Sequence, residues 1–273
     1  MKKNTSYHWV LIVVVVAAIF TSIAYYIYKS EREDIRRERF IYLDAIANLK
    51  VDQITKWRAE RTSEATFFPS RENVIHSTIL LSGDKNHIQS KKFLDITLRP
   101  IQQRHNYEDI ILTDLNHNII FSLDDKVGAL DTLTINAIHQ TILKDSIIFT
   151  DFYYCKTHSA IHLDIIAPIK DKNYLVGVMI FRIDPHKYFY PLVQKWPTPS
   201  KTAESVLLKD EGNSIRILNE VGFKKGFALS LTIPKSDSNY VIVKAVSTDR
   251  KILEGLDYRR SEVLASVKRI AGT

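Results

Sequence analysis

Only one cysteine, Cys155, stands in 273 residues, so an intrachain disulfide and a Cys-rich zinc site are both excluded. Glycine is scarce at eight, with neither Gly-Gly nor Gly-x-Gly, which removes the loops that cradle nucleotide phosphates. No basic run occurs. The 38 Lys and Arg are interleaved with 31 Asp and Glu, so a net charge of +7 is no nucleic-acid footprint, and no nucleic-acid partner is expected. A second apolar run of membrane length is also missing. What is present is ordinary globular composition, 45% hydrophobic and 25% charged, in a length suited to one or two domains.

The single apolar run extends from Trp9 to Tyr28 without a charge. At about 1.5 Å per residue it spans the roughly 30 Å hydrocarbon core of a bilayer. Trp9 at one end and Tyr25, Tyr26 and Tyr28 at the other suit the two interfaces. The run ends in bulky tyrosines, not a small-x-small cleavage site, so it reads as an uncleaved anchor. Lys2 and Lys3 favour a cytoplasmic start, while the basic residues just beyond the run are mixed with acids. The bulk of the chain is therefore expected on the extracytoplasmic (periplasmic) side of the inner membrane, after one crossing. Residues 30–68 hold no Gly or Pro, and Phe40, Leu43, Ala47, Ile54, Trp57, Ala65 and Phe68 recur mostly at helical spacing. Pro69 and Ser70 end that stalk. Arg71–Ser82 reads as a second helix closed by Gly83.

An internal repeat sets the expected architecture. Residues 108–121, EDIILTDLNHNIIF, align without a gap on residues 204–217, ESVLLKDEGNSIRI, matching Glu108 to Glu204, Asp114 to Asp210 and Ile119 to Ile215. Each copy reads as strand, polar turn, strand: a β-hairpin. Val127–Gly128 and Val221–Gly222 follow the two hairpins. The first copy continues with a helix near Leu133–Leu143 and strands near Ile147–Tyr154, His162–Ile169 and Leu175–Ile183. The second continues with strands near Tyr240–Ser247, Ile252–Tyr258 and Glu262–Ile270. The expected fold is α+β: a transmembrane helix, a long stalk helix and two PAS-like modules, each an antiparallel sheet with helices on one side. The second copy has no counterpart of the first copy's LVGVMIFRI strand, so this module is expected to be incomplete and the chain a fragment of something longer. The expected divisions are 1–29 (cytoplasmic tip and anchor), 30–69 (stalk), 70–190 (membrane-distal module), 191–203 (joint) and 204–273 (membrane-proximal module).

Four stretches carry a resemblance: IANLKVDQITKW with AER (46–61), VGVMIFRIDP (176–185), YPLVQKWPTPSKTAESVLL (190–208) and EGLDYRRSEVLASV (254–267). With the anchor, the stalk and the repeat, they resemble the double Cache extracytoplasmic sensor regions of bacterial PAS-containing sensor histidine kinases and GGDEF proteins. The resemblance implies a small-molecule sensing region of a two-component histidine kinase or diguanylate cyclase, lacking its output domain. It implies a ligand bound in the membrane-distal module, between the sheet and the loops covering it. A homodimer through the stalk helix and a cytoplasmic signalling partner are the further expected partners, besides the membrane and an unidentified small molecule. The Arg-x-Trp-Tyr segment that accompanies amino-acid binding in double Cache domains is absent, so an amino-acid ligand is not supported.

No enzyme activity is expected, since neither GGDEF nor a P-loop is present. Cys155 with His158 is weak evidence for a nucleophile and its base, which usually lie far apart in sequence. His158, His162 and Asp164 could suggest zinc on a helix, but Pro168 and the β-branched run argue for a strand, and neither a metal nor a cofactor is assigned. On strands, His162 and Asp164 share one face, as do Arg182 and Asp184, in step with Val178 and Ile180. A structural pairing of Arg182 with Asp184, or a cap before Pro185, is the alternative to ligand contact. The expected ligand-binding residues are Tyr153, Tyr154, His162, Asp164, Arg182 and Asp184. Two other classes compete with the receptor: a stand-alone anchored binding protein acting through a partner, and a tethered hydrolase that would need a metal.

Overall fold

The computed structural model describes residues 5–124, 128–223, 225–248 and 252–270. Lys2, Lys3 and Val127 lie outside the described residues. The chain forms two compact units, Met1–Leu49 with Asn239–Arg269 and Lys50–Ser238 with Ile270–Thr273.

Helix α1 (Thr5–Phe67) runs for 63 residues without Gly or Pro. From Trp9 to Tyr28 its side chains are exposed on every side. Among the described residues it is the one helix long and apolar enough to cross a membrane. Burial begins at Phe40 and Ile46 in the smaller unit and continues at Ile54, Trp57 and Ala65 in the larger. Helix α2 (Glu72–Gly83) follows Pro69 as expected. Helix α3 (Ile88–His105) lies where no element was expected, and it contains Pro100. A proline there forfeits the bond to the Ile96 carbonyl, but Ile96 is exposed, so water can satisfy that oxygen.

The larger unit is built on a six-stranded antiparallel sheet. Its strands are β1 (Tyr107–Thr113), β2 (Ile119–Ser122), β3 (Ile148–Phe149), β4 (Tyr153–Cys155), β5 (Ala160–Asp171) and β6 (Tyr174–Ile183), in the order β2-β1-β6-β5-β3 with β4 also on β5. Helix α4 (Thr132–Lys144) crosses between β2 and β3. One face of the sheet, with Ile110, Leu112, Ile165 and Phe181, joins the core formed by Trp57, Val74, Leu81 and Leu94. The other face, with Ile111, Ile166, Val178 and Ile180, packs under Ala137 and Ile138 of α4. Helices therefore cover both faces, not one. The central strands are apolar at successive positions (β6 is buried from Gly177 through Ile183), as a sheet covered on both sides requires.

Gly177 allows β6 to lie this close to its neighbours. It pairs with Ile169 beside a register shift, and a Cβ there would sit 2.7 Å from both the Thr113 carbonyl oxygen and Thr78 Cγ2. Gly177→Ala is expected to cost about 1–3 kcal/mol through overpacking, read as a lower urea midpoint. An unchanged midpoint would mean that β1 gives way at Thr113.

After β6 the chain enters the short helix α5 (Phe189–Gln194), against which the buried Lys50 donates to the carbonyls of Leu192 (2.6 Å) and Lys195 (2.7 Å). Strands β7 (Leu208–Asp210), β8 (Ser214–Ile217) and β9 (Thr232–Pro234) form a separate three-stranded sheet. The two repeated segments do form hairpins, β1–β2 and β7–β8, and the aligned aspartates do the same work in each. Asp114 accepts from the Asn116 and Asn118 amides, and Asp210 accepts from the Gly212 amide, with Gly212 at φ +82°.

In the smaller unit, helix α6 (Val241–Ser247) precedes the hairpin β10 (Ile252–Leu256) and β11 (Glu262–Ser266). The strand expected near Tyr240–Ser247 is thus a helix. Three consecutive buried residues, Val241, Ile242 and Val243, give no alternation, and a short apolar run of this kind has no readable period. The strand expected to reach Ile270 stops at Ser266, whose hydroxyl donates to Asp44.

Candidate functional site

The cluster of interest lies on the α4 face of the large sheet, and strand register assembles it. Across β5 and β6, Asp164 stands opposite Arg182; across β4 and β5, Tyr153 stands opposite His162. Alternation puts His162 on the same face as Asp164, two residues on. The first turn of α4, capped by Asp131 accepting from the Leu133 amide, delivers Thr134 from above.

The resulting contacts saturate one carboxylate. Asp164 Oδ2 accepts from Thr134 Oγ1 (2.6 Å), Tyr153 Oη (2.6 Å) and Arg182 Nη2 (3.1 Å), while Oδ1 accepts from Arg182 Nε (3.0 Å). Arg182 Nη2 also donates to Tyr153 Oη at 3.2 Å. The strand carrying Asp164 is held to Thr150, whose hydroxyl accepts from the Asp164 amide at 2.9 Å. Asp164 is 0% exposed and Arg182 3%, so both charges are desolvated and depend on each other. Burial opposes the Arg182 charge, but the Asp164 carboxylate more than offsets it and the guanidinium titrates above its usual range. Burial, reinforced by Asp164, also pushes the Tyr153 hydroxyl upward. His162 is pushed down to about 4 by burial and by the Arg182 charge, which keeps its ring neutral near neutral pH. Its Nδ1 is buried without a hydrogen-bond partner among the described residues, a state that ordinarily costs about 1–3 kcal/mol.

Four of the six expected residues, Tyr153, His162, Asp164 and Arg182, come together. Tyr154 does not: alternation turns it away, and it is 55% exposed. Asp184 lies beyond the end of β6 and accepts from the amide of His186 (2.9 Å). It holds the turn that follows β6, and Arg182 pairs with Asp164 in its place.

Sequence reading missed Thr134 and Asp109. Asp109 stands opposite Arg182 on the β1 side, and its carboxylate accepts from Ser122 Oγ (2.6 Å) and from the amides of Leu123 (3.0 Å) and Asp124 (3.1 Å). Burial raises its pKa, although those bonds pull the other way. It anchors the chain leaving β2. A polar residue inside the otherwise apolar EDIIL strand was the available signal.

No protein-family model matches the chain, and no curated protein is similar to it in sequence. Solved structures do match. The sensory domain of the Campylobacter jejuni chemoreceptor Tlp3 aligns with a TM-score of 0.62 at 12% identity, over 87% of this chain and 92% of that one. The ligand-binding domain of the Pseudomonas aeruginosa chemoreceptor PctC, in complex with GABA, aligns at 0.56 and 16%, over 86% and 95%. That of the Pseudomonas fluorescens chemoreceptor CtaA, with L-serine, aligns at 0.54 and 11%, over 82% and 87%. At these identities the likeness is one of fold. The chain has the mixed helix-and-sheet fold of chemoreceptor sensory domains.

Proposed function

We propose that this chain is the extracytoplasmic small-molecule sensing region of a membrane-bound receptor, anchored by Trp9–Tyr28. The observation that carries the reading is the fold, shared with ligand-binding domains of chemoreceptors over more than four-fifths of the chain. The ligand reaches Tyr153, His162, Asp164 and Arg182, all buried beneath α4 in this packing, when α4 shifts, with Tyr154 and Asp184 at the margin of the site. A ligand that binds one packing of α4 better than another shifts the balance between the two, and α1 passes that shift towards the membrane. The receptor is of the histidine kinase or diguanylate cyclase type and dimerises through α1. Two of the structural neighbours are complexes with L-serine and GABA, whereas the absence of Arg-x-Trp-Tyr here argues for a different small polar molecule.

A thermal-shift panel of amino acids, amines, organic acids and sugars on the purified protein tests this. A ligand at 100 times its Kd stabilises by about 2.7 kcal/mol. Tyr153→Phe removes only the hydroxyl that bridges Asp164 and Arg182, and it should weaken the hit by about tenfold or more. A panel that leaves the midpoint unmoved throughout overturns the sensing reading. A hit that Tyr153→Phe leaves unchanged overturns this placement of the site.

A further inference from the structure

The β4–β5 hairpin carries a second cluster that shares only His162 with the site above. Tyr153 is opposite His162 in register, so Cys155, two residues along β4, stands on the same sheet face as His162. The hairpin closes through residues 156–159, with Ser159 left-handed at φ +50°. That turn brings His158 to Cys155, with Sγ 3.2 Å from His158 Nδ1, and sets the His158 and His162 rings 5.3 Å apart between centres. The cysteine sulfur and one ring nitrogen from each histidine all lie within 4.8 Å of one another. Cys155 and His162 are buried, while His158 is half-buried. A second observation is independent of this spacing: His162 is 1% exposed, yet its Nδ1 has no hydrogen-bond partner among the described residues.

We propose that Cys155, His158 and His162 form a binding site for a zinc-like divalent cation. Thiolate and imidazole are the donors Zn²⁺ prefers, at about 2.3 Å from sulfur and about 2.0 Å from nitrogen. A tetrahedron with those bonds separates its donors by about 3.2–3.6 Å. The Cys155–His158 contact meets that spacing already, and the widest pair needs to close by about 1.3 Å. Asp164 takes no part, because both its oxygens are engaged by Arg182, Tyr153 and Thr134. As the sulfur–metal bond forms, the thiol proton passes to solvent. Three protein donors leave the fourth position open to water or an incoming small molecule. The inference stands apart from the sensing proposal, since the site needs no receptor to hold a cation.

The experiment is a Zn²⁺ titration of the full chain in detergent against a chromophoric chelator, with Co²⁺ as the spectroscopic probe. One equivalent should bind, and the cobalt form should show a thiolate-to-metal charge-transfer band with the intense visible bands of four-coordinate cobalt. Cys155→Ser should abolish the charge-transfer band. His158→Ala, at the half-exposed member of the set, should weaken Zn²⁺ binding by at least about tenfold, since even outer-shell losses cost that much. Circular dichroism confirms that both variants fold, which His162→Ala, in the core, is less suited to guarantee. A six-coordinate cobalt spectrum, or Zn²⁺ affinity equal in wild type and both variants, overturns the proposal.

Discussion

Asp164→Ala should destabilise the protein by about 3–5 kcal/mol, because it strands the Arg182 guanidinium in the interior. Arg182 is 3% exposed, and Asp164 accepts from both its Nε and its Nη2. The substitution also leaves the Tyr153 and Thr134 hydroxyls without the oxygen that accepts from both. The pair is a poor source of net stability, since the cost of desolvating two charges roughly cancels their attraction. Its partners are simply worse apart than together. The double variant Asp164→Leu/Arg182→Met should therefore recover most of what either single change loses. Urea unfolding followed by tryptophan fluorescence gives the comparison, with the buried Trp57 as a core reporter. Single and double losses that add would mean the two residues are not coupled, and the cluster would then not be one unit.

Phe181→Ala, one residue away on the opposite face, should cost a similar 3–5 kcal/mol by a different route. Phe181 is fully buried, with its ring 5.1 Å from Tyr107 and 6.5 Å from Phe68 between centres. Tyr107 in turn donates to Glu64 of α1 at 2.5 Å, so this aromatic contact links the sheet to the helix. Truncation removes the transfer energy of the ring and opens a cavity between elements that cannot collapse together. Phe181→Leu should lose clearly less, because most of the volume is kept. Equal losses for the two variants would show that the ring contacts themselves, not the filled volume, stabilise the joint. The contrast with Arg182 follows from strand alternation: the side chain at 181 joins the apolar core, and that at 182 the polar cluster.

Much of the organisation is legible in the sequence. A 63-residue helix and its exposed apolar run follow from charge, length and the lack of Gly and Pro, all local properties. The two hairpins were legible because Asp114 and Asp210 sit at matching places in a repeated pattern, and each proves to hold its turn. Helix α3 was not, since its composition is polar and Pro100 normally argues against a helix interior. Helix α6 was not either, because seven apolar-rich residues fit a strand equally well.

At the candidate site, residue type and parity placed His162 with Asp164 on one strand and Arg182 with Asp184 on the next, and that much the sequence alone determined. Which groups meet was decided only by tertiary structure. Arg182 could have turned to Asp184, two residues on and just past the end of β6; antiparallel register puts Asp164 directly across from it instead. That register includes an irregularity between Ile169 and Lys170, and a slip of one residue would carry Asp164 to the opposite face. Thr134 reaches the cluster on a crossover helix, a contact set by packing between residues thirty apart in the chain. Periodicity reports the face a side chain takes, and only the folded sheet reports what stands opposite it.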